Sequence, residues 1–547
     1  MTSFLTISQR GACGTLAILL AACGGSINSV SPVNQAIPPA IQQIMAKPAY
    51  KGSTWSLRVV DLDSGSVVYD MNSSTPLLIG SVRKLFSVGA ALDQLGAQYQ
   101  FVTPVYAQGT VDATGALNGN LVLVASGDLT MGGRTNPDGS VAISSFDHNE
   151  ANSLGGAILT QPDPLAGYAS LAAQIAAAGI KRINGEVVVD DRLFQPFVFR
   201  GEFAVRPIFV NDDVVDVVIG QGSQGTAAPL SSRPLSQAFS VQSTLAVGSP
   251  GSEPNIELAP ELPTCIGQTG CTGSVSGNIP VDFVPPLTNQ YPLIRTFRIT
   301  DPSSYARTVL IEALQRAGVV VSAAAVEPNP VQILPAPGTY ASSSRVAQLV
   351  SPTYAQYARF ILKVSYNIGA DTSLVLFGLA NNGSTTISGA LVAESGVLAK
   401  KFGVPVDQLH FIDGSGGGDT TATGVSVTAM LDGMRGSAVF SSYVDALPNL
   451  GVDGSLATVT AFEADPTLAG AQGQVHAKTG TFVAAATAPA SGIVLKGQAL
   501  AGYVDAKSGR RLSFALTVNN VPINGIPDVV NVFQDEGTIA ATIWKLQ

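Results

Sequence analysis

The sequence predicts a mixed α and β fold built from two or three domains. Apolar residues alternate from Trp55 to Asp70 and again from Gln474 to Val483, which is the pattern of β-strands. In Leu85 to Leu95 they recur instead at helical spacing. A chain of 547 residues also exceeds the size at which a single hydrophobic core stops growing. Strands, helices and more than one core are therefore expected.

Charge is sparse in this chain and its balance is acidic. Charged residues make up 12% of the sequence and hydrophobic residues 46%, with a formal net charge of -9. Binding a nucleic-acid backbone requires clustered Lys and Arg, so nucleic acid is excluded as a partner.

The first residues predict export. Arg10 precedes an apolar stretch, residues 12–22, that is too short to span a bilayer as a permanent helix. The stretch ends in Leu-Ala-Ala before Cys23, which resembles the lipobox of bacterial lipoproteins, whose cysteine carries lipid; an ordinary cleaved signal is the alternative. We expect a signal peptide at 1–22 and a polar tether at 23–46. The folded part would be periplasmic, with Cys23 as its membrane anchor.

Two of the four cysteines remain after the signal and the lipid site. Cys265 and Cys271 form a close pair in a loop rich in Gly and Thr. A disulfide fits an oxidising compartment. The alternative of two thiols or half of a metal site lacks neighbouring His or Cys ligands.

The N-terminal elements can be assigned in order. A hairpin turns at Asp63-Ser64-Gly65, and the helix that follows ends before Gly96. Ser81 lies at the N-terminal end of that helix and Lys84 one turn further, so both side chains share one face.

Later elements place two further polar triplets, Ser365-Tyr366-Asn367 and Lys478-Thr479-Gly480. Ser351-Pro352 predicts the start of a helix that runs to Ser365, which puts Ser365-Tyr366-Asn367 at a helix end. Lys478 lies on a predicted strand. Further strands are expected at 121–124, 186–190, 500–504 and 512–518, and helices at 171–178 and 529–546. The long gap between Ser81 and Ser365 leaves room for one or two additional domains.

The three motifs suit acyl transfer on a serine. Ser81 is a weak nucleophile until a neighbour accepts its proton, and Lys84 accepts one only if burial or a nearby cation such as Lys478 lowers its pKa. Ser365 would relay the proton to the leaving amine, and Asn367 would donate to the substrate amide.

Backbone amides and the predicted strand around Lys478 would stabilise the negative charges of the oxyanion and the substrate. The amides of Ser81 and Thr481 are the candidate oxyanion donors. The triplet Lys478-Thr479-Gly480, together with Thr481, would hold a substrate carboxylate.

Other hydrolase chemistries have less support. The sequence has three histidines, His148, His410 and His476, and no Gly-x-Ser-x-Gly elbow before a convincing helix. His476 shares the face of Lys478 and either lines the site or is structural. Scattered histidines also leave zinc hydrolase motifs unsupported.

With these motifs in this order, the chain resembles the class C low-molecular-mass penicillin-binding proteins, the D-alanyl-D-alanine carboxypeptidase/endopeptidase family. Further landmarks are Gly127-Asp128, Asp413-Gly414-Ser415-Gly416 and Gly502-Tyr503-Val504.

The resemblance implies an α/β (α+β) fold. Its transpeptidase/β-lactamase-like domain has an antiparallel sheet flanked by helices and is interrupted by two inserted domains. The expected boundaries are 47–102 and 345–547 for this domain, 103–204 and 298–344 for inserted domain II, and 205–297 for inserted domain III.

The resemblance also implies the activity. The enzyme would cleave the D-Ala-D-Ala end of peptidoglycan stem peptides, or their cross-links, through an acyl-Ser81 intermediate, with β-lactams as inhibitors and no metal or organic cofactor. Asp190 and Phe194 resemble an insert element that approaches the substrate; a strand-end turn is the alternative. Tyr366 replaces the family's usual Asp, and Asp419 stands where relatives often carry a basic residue.

Two other functions stay open at this point. A β-lactamase or esterase could use the same core, although the large insert argues against it. A non-catalytic cell-wall-binding lipoprotein could retain the motifs without activity.

Overall fold

The computed structural model describes residues 35–485 and 493–547. The signal peptide, Cys23 and the first half of the predicted tether, residues 23–34, lie outside these residues. The helices are α1 (Pro39–Met45), α2 (Lys84–Leu95), α3 (Ala151–Leu154), α4 (Ala166–Ala177), α5 (Pro302–Arg316), α6 (Tyr354–Val364), α7 (Asn367–Asn382), α8 (Ile387–Phe402), α9 (Gly424–Met434), α10 (Phe440–Asp445) and α11 (Ile526–Leu546).

Strands occur along the whole described chain. They are β1 (Thr54–Asp61), β2 (Val67–Met71), β3 (Leu77–Leu78), β4 (Gln100–Val111), β5 (Ala116–Val124), β6 (Arg182–Ile183), β7 (Val187–Asp190), β8 (Phe197–Phe199), β9 (Phe203–Val205), β10 (Val214–Ile219), β11 (Leu230–Arg233), β12 (Ser240–Ser243), β13 (Ala246–Gly248), β14 (Asn255–Ala259), β15 (Thr272–Pro280), β16 (Leu293–Arg298), β17 (Val320–Val321), β18 (Arg345–Thr353), β19 (Leu409–His410), β20 (Thr421–Ala422), β21 (Val475–Ala485), β22 (Ile493–Asp505) and β23 (Arg511–Ile523).

A five-stranded antiparallel sheet joins the two ends of the chain. Its order is β2-β1-β23-β22-β21, so the N-terminal hairpin pairs with the C-terminal strands and β21 forms one edge. Leu57 lies opposite Leu516 and Val59 opposite Phe514, and all four are buried. Burial of these side chains fixes the register, because a slip of one residue would turn them to the other face.

Helices cover both faces of this sheet. Helix α11 packs its apolar residues on one face, in a core that includes Ile539 and Ile543. The opposite face carries Ala499, Ala501 and Ala515, whose small side chains leave room for the layer containing α2, α6, α7 and α9. Helix α2 is central to this layer, since every residue from 84 to 92 is buried.

Two insertions separate α2 from α6. The first contains a six-stranded sheet in which β4, β5, β6, β7, β17 and β18 pair, with α4 and α5 packed against it. The second contains the three-stranded sheet β11-β10-β16 and the sheet of β12 to β15. The predicted α/β (α+β) fold with inserted domains is therefore confirmed.

The predicted helix start at Ser351-Pro352 is wrong. These residues belong to β18, and α6 begins at Tyr354. Ser351 Oγ accepts from the backbone N–H of Phe101 at 2.9 Å, and its carbonyl accepts from Gln100 Nε2 at 2.7 Å. These bonds to β4 hold the segment extended, and the bulge between Val350 and Thr353 accommodates the proline.

The other predicted elements are present. The first hairpin (β1 and β2), α2 with its stop at Gly96, β7, β21 and α11 lie within a few residues of their expected bounds. The rest are longer than predicted: β5 and α4 begin five residues earlier, β22 begins seven residues earlier and β23 ends five residues later. Cys265 and Cys271 form a disulfide. In the described part of the chain, no helix combines the length and apolarity that crossing a membrane requires.

Candidate active site

Ser81 and Lys84 lie where a tight turn runs into α2. Residues Gly80–Arg83 form a 3₁₀ turn, so Ser81 sits just before the α-helix rather than within it, and Lys84 is its first residue. Lys84 Nζ donates to Ser81 Oγ at 2.7 Å. The lysine is fully buried, whereas Ser81 is partly exposed to the cleft.

Ser365 and Asn367 flank the turn between α6 and α7. Ser365 ends α6 in a left-handed backbone conformation (φ 63°), and Asn367 begins α7. This reversal brings both polar side chains to the cleft while Tyr366 is buried. Asn367 Oδ1 accepts from Lys84 Nζ at 2.7 Å, and Ser365 Oγ accepts from Lys478 Nζ at 2.9 Å.

Strand β21 closes the other side of the site. Lys478 is buried and its Nζ also donates to the Thr479 carbonyl at 2.9 Å. At Gly480 a Cβ would lie 2.0 Å from the Ile79 carbonyl oxygen, so a residue without a side chain is required there. This close approach sets the strand directly against the Ser81 turn, with Thr481 exposed beside it.

A glycine-rich loop, residues 413–418, forms the floor. The Ser415 carbonyl accepts from Lys84 Nζ at 2.8 Å, which gives that amine three acceptors. Asp413 Oδ1 accepts from the backbone N–H of Ser415 and Gly416 at 3.0 and 2.7 Å and so holds the loop. A Cβ at Gly416 would lie 2.0 Å from the Gly80 carbonyl oxygen, which is why the loop can approach the nucleophile turn.

Burial decides the protonation of Lys84. It lowers the pKa of this lysine to about 7, although the carboxylates of Asp371 and Asp413 act in the opposite direction. Burial likewise raises the pKa of Asp371, and Asp413 adds to that rise. In the described part of the chain, no carboxylate lies within ion-pair distance of Lys84.

Lys478 is held in a similar state. Burial, followed by the charge of Lys84, places the pKa of Lys478 well below that of an ordinary lysine. Its two hydrogen-bond acceptors, Ser365 Oγ and the Thr479 carbonyl, are both neutral. An arriving carboxylate would favour its charged form. The sequence argument named the Lys478 cation as a cause of the low pKa of Lys84, but burial of Lys84 is the largest cause and Arg200 is the cation that adds to it.

The structure thus brings Ser81, Lys84 and Asn367 into one hydrogen-bonded group and joins Ser365 to Lys478 beside it. Thr479 Oγ1 shares a hydrogen bond with Ser455 Oγ at 2.8 Å.

Asp190 and Phe194 are not part of this group. Asp190 ends β7, and its carboxylate accepts from Arg192 at 2.8 Å and from Tyr340 at 2.6 Å. Phe194 is buried and stacks on Phe197. Asp190 therefore has the contacts of the strand-end turn that the sequence left as the alternative.

Three residues that the motifs did not identify also contact the site. Glu150 Oε1 accepts from Asn367 Nδ2 at 2.6 Å, and Asp371 accepts from Gly414 N at 2.9 Å. Ser415 lies in the landmark Asp413-Gly414-Ser415-Gly416, so its loop was noticed but its contact with Lys84 was not. Glu150 and Asp371 have no local sequence signal, because their roles depend on distant chain segments.

One group of side chains in the described residues has the spacing of metal ligands: Asp147, His148 and Asp212. Arg134 Nη1 and Nε donate to Asp147 and Asp212 at 2.8 and 2.5 Å. His148 donates to Asp216 at 2.6 Å and to Asp212 at 2.9 Å. Each of these carboxylates is thus already in contact with a cationic side chain of the protein. We call these five residues the insert network.

The charge of His148 agrees with this structural role. Burial alone would lower its pKa, but Asp216 and Asp212 together raise the pKa of His148 to about 9. A protonated imidazole cannot ligate a metal, so the insert network fits a set of buried ion pairs.

A buried lysine bonded to a serine at a helix start, beside a second lysine on an edge strand, defines an acyl-serine enzyme of the penicillin-binding type. The model of the D-Ala-D-Ala carboxypeptidase 3 (S13) family matches residues 38–533, and the chain belongs to this family. It is a class C low-molecular-mass penicillin-binding protein and a serine-type hydrolase, as the motifs predicted.

Relatives support this assignment over most of the chain. The D-alanyl-D-alanine carboxypeptidase of Actinomadura sp. (strain R39) is 24% identical over 510 residues, which are 88% of this chain and 80% of the relative. Penicillin binding protein 4 (dacB) from Haemophilus influenzae matches with a TM-score of 0.66 and 17% identity over 92% of this chain and 99% of that one. Its complex with a β-lactam matches at 0.64 and 18%, with the same coverage.

Proposed function

We propose that Ser81, Lys84, Ser365, Asn367 and Lys478 carry out the acyl transfer of this D-Ala-D-Ala carboxypeptidase on peptidoglycan stem peptides. The observation that carries the proposal is the environment of Lys84: a buried amine bonded at 2.7 Å to the Ser81 hydroxyl, with a pKa lowered to about 7 by burial. A neutral amine at this position can take the hydroxyl proton.

The first step forms the acyl-enzyme. Lys84 accepts the proton of Ser81 as Oγ attacks the carbonyl carbon of the penultimate D-alanine. The backbone amides of Ser81 and Thr481 stabilise the resulting oxyanion, each donor contributing about 3 to 4 kcal/mol in characterised enzymes. The bond between the two alanines breaks as Lys84 returns the proton it took from Ser81, through the Ser365 hydroxyl, to the nitrogen of the terminal D-alanine, which then leaves as the free amino acid.

The second step restores the enzyme. Water attacks the ester carbon on Ser81, and Lys84 takes a proton from that water before returning one to Oγ. If the amine of a second stem peptide was the leaving group in the first step, the same chemistry cleaves a cross-link and the enzyme acts as an endopeptidase.

Lys478, Thr479, Gly480 and Thr481 would hold the terminal carboxylate of the substrate. A carboxylate beside Lys478 favours the ammonium form, so substrate binding would be accompanied by proton uptake. β-Lactams, whose carboxylate and strained amide imitate the substrate, would acylate Ser81 and remain attached.

Labelling and product analysis test this function. Fluorescent penicillin should label the wild type and a Ser170→Ala control, which changes an exposed serine of α4, but not Ser81→Ala. Purified muropeptides should lose one alanine, or separate into monomers, when the products are measured by mass spectrometry. An unlabelled wild type would contradict the proposal, and sustained nitrocefin turnover would indicate a β-lactamase.

We also propose export and lipidation at Cys23, supported by the apolar stretch and lipobox of the sequence and by a family whose substrate is the cell wall. The mature protein should carry a diacylglycerol mass on Cys23, and Cys23→Ala should leave the protein in the soluble periplasmic fraction.

The boundaries 47–102, 345–547, 103–204, 298–344 and 205–297 are proposed for the three domains. Both junctions of inserted domain II, 102/103 and 344/345, fall at the paired strands β4 and β18, although β18 itself belongs to the six-stranded sheet of the first insertion.

A further inference from the structure

An acidic side chain from the first insertion lies inside the candidate active site. Glu150 ends the 3₁₀ turn His148–Glu150, and its Oε1 accepts from Asn367 Nδ2 at 2.6 Å across 217 positions of sequence. Asn367 is the residue that also accepts from Lys84. The insertion thus contributes a charged group to a site whose motif residues all come from the helix and sheet core.

We propose that Glu150 is a positioning residue, which fixes the Asn367 amide with its oxygen toward Lys84 and its nitrogen toward the cleft. The inference rests on the proposed function of Lys84 and Asn367. A carboxylate only accepts hydrogen bonds and an ammonium only donates them, so a single orientation of the amide satisfies both neighbours.

This restraint matters most when Lys84 is neutral. A neutral amine has a lone pair, and a flipped Asn367 could donate its N–H to it. The lone pair would then be unavailable for the Ser81 proton. Glu150 holds the amide nitrogen away and so keeps the base free to act.

The position of Glu150 is itself fixed by the insert network. Asp147 accepts from the backbone N–H of Asn149 at 3.2 Å, and His148 is held between two aspartates. The Asn149 carbonyl accepts from Arg298 Nη2 at 2.8 Å. The three residues before Glu150 are therefore buried and bonded, and they hold its backbone at the edge of the cleft.

Arg200 balances the charge of Glu150. Its Nη2 lies 3.6 Å from Glu150 Oε1, and its guanidinium lies over the Phe199 ring. Both groups act on Lys84: Glu150 raises its pKa and Arg200 lowers it, alongside Asp371, Asp413 and the burial that dominates. Lys478 is the other titratable group beside Lys84, and the charge of Lys84 lowers the pKa of Lys478.

Two substitutions separate the orienting and charge effects. Glu150→Ala removes both the acceptor and the charge. Glu150→Gln retains an oxygen that can accept from Asn367 but removes the charge. Glu202→Gln is the matched control, because Glu202 is an exposed acid in the same insertion. The readout is the second-order rate constant for penicillin acylation of folded protein, measured from pH 5 to 9.

We expect Glu150→Ala to lower the plateau rate by roughly tenfold or more, the usual cost of losing a hydrogen bond to a charged group. Glu150→Gln should restore the plateau. Both variants should also lower, by roughly half a unit, the pH at which the acylation rate falls on the acid side, because losing a negative charge near Lys84 lowers the pKa of that lysine. Glu202→Gln should match the wild type.

Two results would overturn the inference while the proposed function stands: a labelled wild type with Glu150→Ala equal to it in plateau and limb, or a faster Glu150→Ala enzyme, which would mean that the carboxylate obstructs the substrate. A wild type that penicillin does not label would instead overturn the proposed function itself. If Glu150→Ala does not fold, Glu150→Gln still tests the charge effect. A pH profile of acylation shifted to lower pH supports that effect, and an unshifted profile contradicts it.

Discussion

The active-site cleft and the insert network both bury charged residues, but they pair them differently. In the insert network, Arg134 and His148 each contact two carboxylates, and the carboxylates oppose burial enough to raise the pKa of His148 to about 9. In the cleft, Lys84 donates to a hydroxyl, an amide and a carbonyl, and burial lowers its pKa to about 7. The same desolvation therefore holds charge in one region and removes it in the other, depending on whether an opposite charge is in contact.

The largest expected effect is the loss of activity when the cleft lysine, Lys84, is replaced by an apolar residue. Lys84→Met should reduce penicillin acylation by roughly 10²- to 10⁴-fold, the usual contribution of a general base, while leaving stability equal or higher because an apolar chain replaces a buried amine. Lys400→Met, at an exposed lysine on α8, serves as the control. Stopped-flow acylation and chemical denaturation measure the two effects, and a Lys84→Met enzyme within tenfold of the wild type would exclude Lys84 as the base.

In the insert network the effect should appear in stability. Asp212→Asn removes the charge that Arg134 and His148 both contact, and we expect a loss of about 3 to 5 kcal/mol in the free energy of unfolding. Denaturant unfolding followed by circular dichroism measures it. A decrease of less than about 1 kcal/mol in the free energy of unfolding would mean that these buried ion pairs contribute little to stability. That result would contradict the contrast drawn between the insert network and the cleft.

Alkaline pH should weaken the same region. The pKa of His148 is about 9 in the folded protein and 6.5 as its ordinary value, so its stabilisation is fully present below 6.5 and is lost as pH rises through 9. The expected loss is roughly 3 kcal/mol. Because other groups also titrate there, the measurement is the difference between wild type and His148→Gln, and identical pH dependence of the two would count against a protonated His148.

Acid pH should reduce the acylation activity of the cleft. With a pKa of about 7, Lys84 is protonated below neutrality, so the acylation rate should fall about tenfold per pH unit there and level off above. Over this range His148 keeps its charge, so its contribution to stability is retained while acylation slows. A rate that continued to rise to pH 10 would show an ordinary lysine.

Local motifs made much of the fold and site predictable. Ser81 and Lys84 are one turn apart, and the alternation around Lys478 identifies its strand, so the helix and strand that carry them could be assigned from short segments. The helix start at Pro352 was misassigned because Ser351 is bonded to β4, a partner about 250 residues away. Pairing over that distance leaves no trace in local periodicity.

The surroundings of the catalytic amine could not be predicted in the same way. Ser415 contributes a backbone carbonyl, which every residue has, and Glu150 belongs to an insertion without a motif. Asp371 lies within a largely buried helix, where its carboxylate is one polar group among apolar neighbours. Their roles follow from the tertiary fold, which the order of the motifs does not specify.

The most direct measurement is an NMR titration of Lys84 in the unliganded enzyme, using lysine labelled with ¹³C at Cε and assignment by Lys84→Arg. A midpoint near pH 7, far from the exposed lysines, is the result that burial without a carboxylate partner predicts. A midpoint at or above the ordinary value of 10.5 would show that the amine remains charged and would contradict its role as the base for Ser81.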